Sequence, residues 1–94
     1  MPTDTKYHTL EYRSMVVNAF NSIAFDLLDA CKAAGEKARI HVGDAADAVY
    51  THLRDENDPL LKSLIPTPGD TSLAFAVIKR HLRDYAGGRS YIYL

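Results

Sequence analysis

The sequence has no tryptophan, a single cysteine and no excess of charge of either sign. Cys31 has no partner for an internal disulfide, so a cross-linked secreted scaffold is excluded, and no Cys-His motif marks it as a nucleophile. It sits within an apolar helical pattern, where small buried thiols are common. Eleven Lys and Arg face twelve Asp and Glu, and no basic run concentrates the positive charge, so a broad nucleic-acid footprint is missing. No apolar run approaches the ~18 residues of a membrane span. The opening "MPTDTKYHTLEYR" lacks the charged-then-apolar layout of a secretory leader, so the expected location is cytoplasmic.

What remains is ordinary globular material. Hydrophobic residues make up 47% and charged residues 24% of 94 positions, enough for one small core and too little for two. One domain over residues 1–94 is expected. Val16, Phe20, Ile23, Leu27 and Cys31 recur at helical spacing, with Val17, Ala24 and Leu28 widening the stripe. Gly35 stops this first helix, predicted over 9–34. A stripe this wide requires several partners within the chain or a second subunit. Asp44 has N-cap chemistry, and Ala45, Ala46, Val49 and Leu53 then line a second helix over 44–55. Asp58 and Pro59 open a short connector helix that ends before Pro66. Asp70 or Thr71 caps a third main helix, in which Leu73, Ala74, Val77, Ile78, Leu82 and Tyr85 form a broad apolar side.

Gly87 and Gly88 end that helix, and "RSYIYL" reads as a strand from its aromatic and β-branched residues. A lone strand leaves backbone groups unmet, so it has to pair with another chain or, second, with an irregular segment such as "RIHV". The predicted fold class is mainly α: three main helices, a connector helix and one C-terminal strand paired across a two-fold dimer.

The chemistry-bearing residues do not assemble into a site. His52 with Asp55 and His81 with Asp84 lie three apart on helices, a spacing that orients an imidazole as a general base. No nucleophile, oxyanion donor or metal motif accompanies them, and His and Arg near a helix C-terminus are accounted for by the dipole. The two "HLRD" copies that contain these pairs differ in their upstream spacing and read as coincidence. The four histidines lack the paired spacing of a zinc site, and "YAGGRS" follows a helix where a phosphate-cradling loop would precede one. No cofactor, metal or catalytic residue is therefore expected. Six tyrosines point to core and protein interfaces. Lys79, Arg80, Arg83 and Arg89 form the one basic cluster, a candidate contact face.

The stretch "TSLAFAVIKRHLRDYAGGRSYIY", residues 71–93, resembles the end of the dimerisation region in the Mor family of phage transcription activators: an apolar helix, a Gly-Gly pair, then a short "YIY" strand. In that family the strand pairs with its symmetry mate, helices from both subunits pack on it, and a helix-turn-helix domain follows. The resemblance implies that Gly87 and Gly88 form the turn, that Tyr91, Ile92, Tyr93 and Leu94 form the dimer strand, and that the partner is a second copy. The helix-turn-helix domain has no counterpart within these 94 residues, so direct nucleic-acid binding is expected to be weak. The expected function is that of a small non-enzymatic phage- or prophage-type regulator acting by protein contacts, with a modulating role in transcription. The alternative is a small inhibitor of a host enzyme or defence complex.

Overall fold

The computed structural model describes residues 6–94; residues 1–5, on which part of the leader reading rests, lie outside it. In chain order the elements are α1 (Leu10–Ala33), β1 (Arg39–His41), α2 (Val42–Asp55), α3 (Pro59–Lys62), α4 (Ser72–Tyr85) and β2 (Tyr91–Tyr93). The protein is mainly helical, as predicted, and the described residues hold one small antiparallel sheet in place of a single strand.

Local chemistry sets most boundaries. Thr9 caps α1, its hydroxyl accepting from the Tyr12 N–H at 3.4 Å. Asp58 accepts from the Leu60 N–H at 2.9 Å and Pro59 occupies the first turn of α3. At α4 the cap residue Thr71 makes no side-chain bond; the Asp70 carboxylate accepts from the Ser72 N–H at 3.1 Å instead. That bond holds the Asp70 carboxyl below its usual range. α2 begins two residues earlier than its acidic residues suggest, because the cap is the His41 imidazole, whose Nδ1 accepts from the Gly43 N–H at 3.0 Å. Asp44 sits in the first turn, where its charge favours the helix dipole.

The core is a layer in which α2 and α4 pack against each other and against the first half of α1. Val16, Val42, Val49, Leu64, Ile78 and Leu82 are fully enclosed. Burial along α1 stops at Phe20: Met15, Val16, Ala19 and Phe20 are buried, whereas Ile23, Ala24, Leu27, Leu28 and Cys31 are half-exposed. The second half of α1 meets the opening turns of α2, which leave its stripe only half-covered.

β2 finds its partner inside the chain, the second of the two pairings expected for it. Ile92 lies opposite Ile40, with Tyr93 opposite Arg39 and Tyr91 opposite His41. Ile92 is buried and Leu94 half-buried within the chain, while Tyr91 and Tyr93 stay exposed.

Candidate interaction surfaces

Two glycines aim β2. The last turn of α4 closes with Gly87 N–H on the Asp84 carbonyl at 3.1 Å and Gly88 N–H on the Arg83 carbonyl at 2.8 Å. Both glycines hold positive φ, +71° and +84°, and nothing stands within 4 Å of where a Cβ would sit. Glycine is required there by backbone conformation and not by space.

The ladder then divides the backbone groups of β2 between two edges. Val42 N–H donates to the Ser90 carbonyl and Leu94 N–H donates to the Ala38 carbonyl, each at 2.8 Å. In an antiparallel pair, bonded and non-bonded positions alternate, so Ser90, Ile92 and Leu94 face β1, while the N–H and C=O groups of Tyr91 and Tyr93 point to the outer edge. The sheet has two strands, and no described residue pairs with that edge. The side chains follow the pleat: Ile92 points into the core, and Tyr91 and Tyr93 point outward, with Tyr93 65% exposed. Tyr91 is steadied by the Arg39 guanidinium 4.4 Å from its ring centroid and by an edge-on His41 at 5.3 Å.

The basic cluster is partly assembled. Lys79, Arg80 and Arg83 line one open groove of about 450 Å³ on α4 together with Ala76 and Asp84. Arg89, beyond the glycine turn, is exposed but does not line it. Three cations along this stretch of helix neutralise at most about three phosphates, so this face contributes a salt slope no steeper than about −3 to duplex binding. A generic duplex is therefore expected to bind weakly at physiological salt in fluorescence anisotropy. Tight binding that vanishes on changing Arg80, Arg83 and Arg89 to Ala would contradict this.

Neither His-Asp pair forms. His81 turns inward, 2% exposed, and its Nε2–H donates to the Tyr7 carbonyl at 2.9 Å. That carbonyl can only accept, which places the proton on Nε2 and leaves the buried Nδ1 without a partner. Asp84 instead meets His8 at 3.5 Å, and the His8 ring stacks on His81 with centroids 5.2 Å apart. Asp55 lies 3.5 Å from Arg54, not against His52. His81 thus fastens the segment before α1 onto α4. Several tyrosines serve as internal packing in the same way: Tyr12 shares a hydrogen bond with Ser63 at 2.6 Å and meets Tyr7 edge-on, and Tyr50 packs on Phe75.

The sequence reading missed β1 as a strand, as well as a groove between α1 and α2. In that groove Ile23, Leu27 and Ala48 lie between Asp26, Asp44 and Asp47. No described helix is long and apolar enough to cross a membrane. No protein-family model matches the chain, and no curated protein or solved structure matches it either.

Proposed function

We propose that the chain is a small non-enzymatic regulatory protein of the phage or prophage type, acting by protein contacts as a homodimer and modulating transcription. The observation that supports this reading is the open outer edge of β2, which presents two N–H and two C=O groups beside exposed tyrosines. Edges of this kind are where a further strand adds. A second copy is the self-complementary solution. With a two-fold axis beside Ile92, Tyr91 of one copy lies opposite Tyr93 of its mate and the reverse, giving four hydrogen bonds in a four-stranded sheet. Each is worth about 1 kcal/mol net. A three-residue strand contact buries less than the roughly 1,200 Å² of a stable interface, so helix surface beside the sheet joins it.

The test removes donors from the outer edge alone. Tyr93→Pro deletes an outward N–H and spares the bonds to β1, since Pro is tolerated on an edge strand. Sedimentation should give twice the chain mass for the intact protein and a single chain mass for the variant, with unchanged helical circular dichroism. An intact chain that stays monomeric up to roughly 100 μM, well above the dissociation constants of most specific dimers, removes the dimer from this reading.

The inhibitor reading draws on a different observation. Leu10 and Phe25 on α1 are 77% and 79% exposed, more apolar surface than β2 pairing accounts for.

A further inference from the structure

The groove between the second half of α1 and the opening turns of α2 combines two features that point to one kind of occupant. Its floor is apolar: Ile23 and Leu27 lie one turn apart on α1, and across from them stands Ala48, in a shallow, open groove of about 550 Å³. Its rim is acidic: Asp26 on one side, Asp44 and Asp47 on the other, all exposed. Four other carboxylates are engaged, Asp84 with His8, Asp55 with Arg54, and Asp58 and Asp70 with backbone N–H groups, whereas among the described residues Glu11, Asp29, Glu36 and Glu56, like the three of the rim, are not. These three have no ion pair or hydrogen bond among the described residues, and no Lys, Arg or His lines the groove.

We propose that this groove docks a basic amphipathic helix of a partner protein. Like charges around an apolar floor repel one another until cations arrive, and the long stems of Lys and Arg cover apolar surface while their heads reach the rim. Phosphate-bearing ligands, nucleic acid and anionic lipid surfaces are repelled by the same rim. An extended peptide is disfavoured for a separate reason. Both walls are helices whose backbone groups bond internally, so they offer an extended chain nothing to pair with, whereas a helix brings its own bonds satisfied. The α2 wall from Asp44 to Thr51 is about 10 Å long at 1.5 Å per residue, which suits an occupant of two to three turns with apolar residues at i, i+3 and i+7 and Lys or Arg beside them. The α4 ridge of a second copy fits poorly, since its lining supplies Ala76 as the sole apolar anchor among its cations.

This inference goes beyond the dimer reading and uses none of β2. Its test is fluorescence anisotropy with a labelled, helix-stabilised peptide carrying three leucines on one face and flanking lysines. One control peptide has every Lys replaced by Glu, and another has the same composition with the leucines scattered. The basic amphipathic peptide should bind at least about ten times more tightly than either control, and raising the salt should weaken it. The exposed pair Asp44→Asn with Asp47→Asn should lower affinity about fivefold or more and flatten the salt dependence. Ala48→Tyr, which fills the groove, should abolish binding. Equal binding of the scattered peptide, undiminished binding by Ala48→Tyr, or no binding up to about 1 mM would overturn the proposal. Self-association lost in the Asn pair without peptide binding would overturn it too, in favour of a second copy. The Tyr93→Pro variant should bind the peptide as the intact protein does, so loss of the dimer and loss of the groove read out separately.

Discussion

Leu82→Ala is expected to lower the free energy of unfolding by about 3 kcal/mol, because the side chain is fully enclosed in the last turn of α4 and its removal forfeits transfer energy and leaves a cavity. A domain of this size has roughly 5–15 kcal/mol in total, so about a fifth to over half of its stability rests on one isopropyl group. The melting temperature should fall by about 12–24 °C at the 4–8 °C per kcal/mol typical of small domains. Leu10→Ala is the matched control. Leu10 is 77% exposed, and its truncation should stay within about 0.5 kcal/mol. Urea titration of both variants gives the comparison, and a Leu82→Ala cost below about 1 kcal/mol would mean that α4 is not packed as described.

Ile92→Asp should be at least as damaging, for an electrostatic reason. Ile92 is 4% exposed and its inward side chain faces a cluster made of apolar residues, while the nearby Arg39 and His41 lie on the opposite face of the sheet. A carboxylate placed there has no cation and loses hydration worth several kcal/mol. Burial would raise its folded pKa above the unfolded value near 4, so the damage should be smallest below about pH 4 and grow as pH rises through the folded value. Hydrogen exchange at Ile40, Val42 and Leu94 should accelerate more at pH 7 than at acid pH. The same argument makes a change at Ile92 unsuitable for testing dimerisation, since it breaks the subunit before it reaches the edge, whereas Tyr93→Pro acts outward. If the variant melts within about 1 kcal/mol of the parent at neutral pH, Ile92 does not belong to the core.

The helices were legible because their signals are local. Spacing of apolar residues places α1, α2 and α4, Asp58 caps where its chemistry says, and Gly87 and Gly88 end α4 with positive φ. β2 was legible as a strand from "YIY". β1 was not, since "RIH" has one β-branched residue between two charged or titratable ones, and it is a strand only because β2 returns to it. The start of α2 was read late because histidine is an uncommon cap. Lys79, Arg80 and Arg83 share a face by spacing alone, so that surface could be foreseen. The acidic groove could not, because Asp26 and the pair Asp44 and Asp47 come from different helices brought together by the α1–α2 reversal.

The pairing of Ile40 with Ile92 joins positions roughly fifty residues apart, and closing a loop of that length costs entropy before any ladder bond is made. Contacts between α1 and α2 close shorter loops and carry somewhat less of that cost, which favours their forming earlier. The sheet is then a clasp and not a nucleus: it shuts on a helical body, and seating Ile92 completes the core.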